Sequence, residues 1–309
     1  MMFGMHLARV VVSAAVILAL VSRNLAAPAV ANGGSRAFSA VVAFGDSFTD
    51  NGKGAWEISN HTWPADPHYA GGRFSNGPVW IEYVADNLTT PLVDYAVGGA
   101  TTSNALVQGY TGPGSSIAVP SVDQQVANFL KTPPSNVSLA RPLFVLLGGA
   151  NDPLFNPNVT AAQSFHALMS SKAALASAYP RAEILLLSYP DLSRIPYDFY
   201  VDAQTKKGLR TFSYELSALF QNAQTQSGGF KHVDLIPLFT SFDYYGTPTA
   251  YGFAPLGAYG SCLTGAYGET KTLTVCDDPD EVVFWDEYHP TTHSHSWIAH
   301  LFLNALGYH

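Results

Sequence analysis

The chain has 309 residues, a formal net charge of -8, 12% charged side chains and 47% hydrophobic ones. That balance excludes a disordered chain, which would carry few apolar residues and many charges. With 15 basic residues and no Lys/Arg run the chain lacks the footprint of a nucleic-acid binder, and no repeat of about 20–50 residues points to a solenoid or propeller.

Residues 10–21 (VVVSAAVILALV) form an apolar run broken only by Ser13, with His6 and Arg9 before it and small residues at Ala26, Ala27 and Ala29-Val30-Ala31 after it. A basic start, a short apolar core and an A-x-A exit are the pattern of a secretory signal peptide. The run is shorter than the about 20 apolar residues a bilayer span needs. Residues 1–31 are therefore expected to be the leader, with Ala26 or Ala27 as alternative cleavage points, and residues 32–309 a single domain. A buried first helix of the fold is the other reading. Cleavage after Ala31 removes Arg9 and Arg23 and takes the net charge from -8 to -10. No other stretch could span a membrane. A secreted, extracellular and monomeric protein is expected.

After the leader, strands alternate with helices. Residues 39–44 (SAVVAF) are a short apolar run ending in Gly-Asp, suited to a buried parallel strand. Residues 78–87 carry apolar side chains at helical spacing, with Pro78 at the start and Asn87 at the end. A strand is expected over 92–96 and an amphipathic helix over 122–130, closed by Pro133-Pro134. Residues 142–147 (PLFVLL) are the clearest buried strand. A helix over 160–178, a strand over 182–188, a long helix over 201–224, a strand over 232–236 and a last helix over 291–306 follow. Such alternation argues for a parallel sheet covered on both faces. Residues 239–260, rich in Gly, Pro and aromatics, read as a long ordered loop. Cys262 and Cys276 come next; an even pair in an oxidising compartment is expected to form a disulfide, with two free buried thiols as the alternative. Sequons at Asn60, Asn87, Asn136 and Asn158 are glycosylation candidates.

Ligands of open parallel sheets bind at the carboxyl ends of the strands. Those ends read Gly45-Asp46-Ser47, Gly98-Gly99, Gly149-Ala150-Asn151-Asp152 and Tyr189-Pro190-Asp191. Serine is a weak nucleophile until a base takes its proton, and that base works best when a third group orients it. Ser47 stands where a strand turns into a helix, whose N-terminus favours developing negative charge. Asp286 and His289 lie three apart before the last helix. In a turn, that spacing lets a carboxylate meet the ring Nδ1–H and aim Nε2 outward as a base. Acyl transfer also needs donors where the oxyanion forms. The backbone N–H groups of Ser47 and Gly99 and the Asn151 amide are the candidates. Singly these signals are weak, since G-D-S also reads as a capped turn, D-x-x-H as an exposed turn and Asn151-Asp152 as a helix cap. In this order at successive strand ends they point together to a serine esterase.

The segments FGDSFTD, GGAT, GAND and DEYHPT resemble, in order, the consensus blocks of the GDSL/SGNH hydrolase family, a likeness running from about residue 40 to 306. GRFSNGPVW (72–80) and Tyr251-Gly252-Phe253 are similar to its eukaryotic and fungal secreted branch. Within that branch the pattern is most similar to carbohydrate acetylesterases of the hemicellulose-deacetylating kind, and it overlaps plant-type GDSL lipases. The resemblance implies an α/β/α sandwich with a five-stranded parallel sheet in flavodoxin-like order 2-1-3-4-5. It implies Ser47 as nucleophile, His289 as base, Asp286 as its orienter, and an oxyanion hole from Ser47, Gly99 and Asn151. Phe48 stands where the namesake Leu would be, and Asp94-Tyr95-Ala96 where many members have Asn-Tyr-Ala, which keeps Gly98 as the alternative donor. A small-molecule or oligosaccharide ester is the expected substrate, with no cofactor, metal or nucleic acid. His289, His293 and His295 are an alternative metal set at helical spacing. A lipase for longer acyl chains and a non-catalytic carbohydrate-binding protein are the alternative functions. Trp56, Trp63, Tyr69, Phe74 and the aromatics of 239–259 are expected either to line the site or to pack long loops.

Overall fold

The computed structural model describes residues 38–65 and 68–308, so the leader and its cleavage site lie outside the described residues. In chain order the elements are β1 (Ala40–Phe44), the one-turn helix α1 (Ala55–Ile58), α2 (Trp80–Asn87), β2 (Leu92–Asp94) and a hairpin of β3 (Tyr110–Thr111) and β4 (Ile117–Ala118). Next come α3 (Val122–Lys131), β5 (Pro142–Leu147), α4 (Asn151–Phe155), α5 (Ala161–Ala178), β6 (Glu183–Ser188), α6 (Ala203–Ser227), β7 (Lys231–Asp234) and α7 (Ile236–Ser241). A second hairpin, β8 (Leu263–Thr264) and β9 (Thr274–Val275), precedes α8 (Thr292–Leu306).

The main sheet runs β2-β1-β5-β6-β7, all parallel, which is the 2-1-3-4-5 order the resemblance implies. Helices α2 and α8 pack together on one face, and α3, α5 and α6 on the other. Every residue of β1 and β5 is buried, which is why these strands are continuous apolar runs rather than alternating ones. Phe44, Phe129 and Phe144 meet under the sheet with ring centroids 5.4–6.3 Å apart. The chain leaves β1 for β2 on one side and later returns to β5 on the other. The carboxyl end of β1 is therefore the switch point where such sheets bind ligands.

The helix starts are chemical. Thr160 and Gln163 cap α5 reciprocally, Gln163 N donating to Thr160 Oγ1 at 3.3 Å and Thr160 N to Gln163 Oε1 at 2.9 Å. Asp202 accepts from Thr205 N at 2.8 Å and so starts α6 two residues later than the expected helix. Thr291 caps α8, which ends on Gly307 at φ 87°. Two strands stop earlier than expected because an aspartate turns the chain. Asp94 accepts from Ala96 N at 2.9 Å and Asn51 N at 3.1 Å, and Asp234 accepts from Ile236 N at 3.0 Å. The expected loop over 239–260 holds the end of α7 and a 3₁₀ turn at Pro248–Tyr251.

Candidate active site

Ser47 sits in the turn after β1, 8% exposed, with its Oγ 2.8 Å from His289 Nε2. His289 Nδ1 lies 2.8 Å from each oxygen of Asp286, which is wholly buried. Asp286 Oδ1 also accepts from the backbone N–H of Tyr288 and of His289, both at 2.8 Å. A carboxylate facing Nδ1 assigns the proton to that nitrogen and leaves Nε2 to accept from the serine. The turn is fixed at both ends: Trp285 N donates to His289 O at 2.7 Å, and Thr291 opens α8 two residues after the histidine.

On the other side of Ser47, Gly99 has φ 86°, and a Cβ there would stand 1.9 Å from Tyr110 O, so only glycine fits. The backbone N–H of Ser47 and that of Gly99 have no hydrogen-bond partner among the described residues, whereas Gly98 N donates to Asp50 at 2.9 Å. That contrast favours Gly99 over Gly98 as the oxyanion donor. Asn151 is differently placed: its Nδ2 donates to Ala100 O at 2.9 Å and to Asp46 Oδ2 at 3.2 Å. Both amide protons are engaged at rest, so donation to an oxyanion requires trading the longer bond. Asp46 also accepts from the Tyr189 hydroxyl. Burial raises its carboxyl to about 6, against the lowering effect of the tyrosine bond and of the Phe48 N–H.

These groups floor a cleft of about 620 Å³ that no Lys, Arg or Glu among the described residues lines. Its lining includes Tyr110 packed on Phe155, the ring cluster Trp63, Tyr267, Tyr288 and Tyr197, and the aliphatic Leu154, Leu192 and Ile195. Trp63 and Phe74 thus line the site. Trp56 instead stacks on His61 at 5.4 Å, and Tyr69 is buried on Asp286 at 2.8 Å. The aromatics of 239–259 are absent from the cleft. Phe239 and Tyr259 line a separate cavity of about 230 Å³, and Tyr245 is 90% exposed.

The three histidines do not converge. His289 faces Ser47, His293 spends Nδ1 on Asp280 O, and both ring nitrogens of His295 are buried without a partner. Cys262 and Cys276 form a disulfide with Cα atoms 4.7 Å apart. All four sequon asparagines, Asn60, Asn87, Asn136 and Asn158, are exposed.

Two carboxylates that sequence reasoning left unused hold the site's frame. Asp50 accepts from Gly52 N, Gly54 N, Ala55 N and Gly98 N at 2.7–3.0 Å, joining the loop after Ser47 to the Gly98-Gly99 turn. Asp152 accepts from Thr102 N at 2.8 Å and from the Ser164 hydroxyl, joining α4 to the residues beyond Gly99 and to α5. Their places inside FGDSFTD and GAND were the available signal.

A doubly wound α/β/α sandwich with a serine, a histidine and an aspartate in register on its carboxyl edge defines the SGNH class of hydrolase fold. The chain belongs to the GDSL-like lipase/acylhydrolase family, whose model matches residues 41–302. It is 29% identical over 287 residues to the thermolabile hemolysin of Vibrio parahaemolyticus, covering 86% of this chain and 63% of the hemolysin. It is 26% identical over 308 residues to the phosphatidylcholine-sterol acyltransferase of Aeromonas hydrophila, covering 85% and 88%. Among solved structures, a Corynascus (Myceliophthora fergusii) carbohydrate esterase family 2 enzyme with its carbohydrate-binding domain superposes with a TM-score of 0.49 at 17% identity. That superposition covers 87% of this chain and 66% of the other.

Proposed function

We propose that the protein is a secreted serine esterase that hydrolyses short-chain acetyl esters of plant cell-wall carbohydrate through an acyl-enzyme on Ser47. The observation that carries this reading is the hydrogen-bonded chain from Ser47 Oγ through His289 to Asp286 on the cleft floor. Ser47 Oγ attacks the ester carbonyl while His289 Nε2 takes its proton. The developing oxyanion is received by the N–H groups of Ser47 and Gly99 and by the Asn151 amide. His289 returns the proton to the departing alcohol, then takes one from the water that attacks the acyl-enzyme carbonyl, and gives it to Ser47 Oγ as the ester bond breaks, releasing the acid and free Ser47.

The carrier alcohol is argued from the walls. Among the described residues no Lys or Arg lines the cleft for a phosphate or carboxylate, and Trp63, Tyr197, Tyr267 and Tyr288 supply aromatic surface suited to neutral sugars. A second reading, esters of longer acyl chains, is favoured by the apolar run Leu154, Phe155, Leu192 and Ile195 in the same cleft. The hemolysin and sterol acyltransferase relatives lean the same way by name. Secretion is supported by the leader pattern and by the disulfide and exposed sequons of the folded part. A single domain over 32–309 and a monomer belong to the same reading.

An acyl-length series on one chromogenic alcohol, run on wild type and Ser47→Ala, separates the two substrates. Acetyl preference is expected as kcat/KM falling sharply beyond acetyl, with Ser47→Ala down by on the order of 10⁴-fold or more. Rates that rise toward octanoyl would transfer the reading to lipids.

A further inference from the structure

Segment 69–76, which contains the whole GRFSN stretch Gly72–Asn76, packs on the Asp286–His289 turn from outside it. The Tyr69 hydroxyl donates to Asp286 Oδ2 at 2.8 Å, and the Phe74 ring centroid lies 4.9 Å from that of His289. Beyond the histidine, Ser75 Oγ donates to Pro290 O at 2.9 Å and Asn76 Oδ1 accepts from Thr292 N at 2.8 Å. The segment therefore grips the turn both before and after His289. Tyr69 itself is 3% exposed, seated against Cys262, Leu263 and Trp285, so the disulfide region closes over its ring. The close donors to Asp286 other than Tyr69 are Tyr288 N, His289 N and His289 Nδ1, all from the turn that carries it. From outside the turn, Tyr267 Oη stands farther off, 3.5 Å from Asp286 Oδ2 and 3.5 Å from His289 Nδ1.

We propose that Tyr69 is a positioning residue for the base: its hydroxyl fixes Asp286 Oδ2, and with it the His289 ring, in the orientation that aims Nε2 at Ser47. Oδ1 is anchored by two backbone N–H groups, but Oδ2 has Tyr69 as its anchor outside the histidine. Without that anchor Oδ2 keeps only His289 Nδ1 and the more distant Tyr267 hydroxyl, and the carboxylate plane is held less tightly. Removing the donor also leaves more of the carboxylate's charge to the imidazolium, so the protonated ring persists to higher pH. The buried tyrosine beside a carboxylate is itself held protonated, by burial first and by Asp286 second, and stays a donor throughout the working range.

The titratable groups facing this pair are Asp46 beside Ser47, Glu287 and Tyr288 in the turn, Tyr267 and Glu269 in the disulfide loop, and His295 on α8. Of these, Tyr267 also interacts with the Tyr69 hydroxyl, so Tyr267→Phe accompanies Tyr69→Phe to separate the two hydroxyls.

The kinetic test rests on the esterase reading; a ring titration does not. Tyr69→Phe keeps the ring and its packing. Its kcat on 4-nitrophenyl acetate is expected to fall about 10-fold with KM within about 2-fold, since misorientation acts on the chemical step. The acid limb of its kcat profile is expected to move to higher pH by about half a unit. NMR titration of the His289 ring in Ser47→Ala, with and without Tyr69→Phe, should show the same upward movement without any turnover. Tyr267→Phe should move it in the same direction by less. A wild-type limb and titration midpoint in both variants, or a loss of rate that only follows a lowered Tm, overturns the proposal. If wild type cleaves no ester, the esterase reading fails while the ring titration still decides the role of Tyr69.

Discussion

In the structure Asn151 is committed to Ala100 O and to Asp46 Oδ2, so the proposed reaction starts with its amide engaged elsewhere. An oxyanion at Ser47 competes with Asp46 for the same proton, and the 3.2 Å bond is the one to break. The Tyr189 hydroxyl remains on Asp46 when it does. Asn151→Ala should therefore lower kcat by about 10²–10³-fold with KM little changed, the cost of losing one oxyanion donor. Steady-state kinetics on an acetyl ester checks this, and a wild-type kcat would remove Asn151 from the oxyanion hole. The residues the structure brings together around Ser47 were legible because each lies in a short local pattern. Gly99 and Asn151 follow predicted strands, and Asp286 and His289 share one turn. Tyr69 was not legible as a donor, because its partner lies 217 residues away and no neighbouring residue marks a tyrosine for that task. Which of the two expected roles the aromatics of 239–259 take, packing rather than lining the cleft, was not legible for a related reason: composition locates a sticky loop, not the cavity it faces.

At the level of elements, the buried runs 39–44 and 142–147 and the capped helices were readable, because period and punctuation are local. The hairpins β3–β4 and β8–β9 were not, since strands of two residues have no period to detect. Helix α8 carries a cost that sequence did not show. His295 is fully buried behind Phe48, with ring centroids 6.1 Å apart and neither nitrogen partnered. Burial, with the nearby His289 charge, lowers it from 6.5 to about 3. A base held neutral in the folded chain takes up protons first in the unfolded one. Its contribution to stability is thus complete above 6.5 and is lost as pH falls. The loss is about 1.4 kcal/mol per pH unit between those limits. Asp46 and Glu287, raised by burial to about 6 and about 8, slope the opposite way. The difference between wild type and His295→Leu isolates the site. In denaturant unfolding from pH 7 to pH 4.5, the variant should gain on wild type by about 1.4 kcal/mol per unit below 6.5. Parallel curves would show that the ring is not held neutral.

For the whole molecule, low charge content and high hydrophobicity become a sheet whose central strands β1 and β5 are buried on both faces, with a largely aromatic and apolar cleft along its carboxyl edge that holds Asp46 and His289. Residues 38–65 and 68–308 carry one five-stranded sheet and two short hairpins, and the disulfide staples the stretch with the least regular structure. The order of the sheet places β1, and so Ser47, at the switch point, while the last turn before α8 brings His289 across from the far end of the chain. That convergence is the centre of the functional reading, and a covalent probe tests it without knowing the natural ester. A fluorophosphonate incubated with the folded protein should add one phosphonyl group, mapped by peptide mass to Ser47 and absent from Ser47→Ala. No adduct on wild-type protein, or an adduct that persists in Ser47→Ala, would contradict an activated nucleophile at that position.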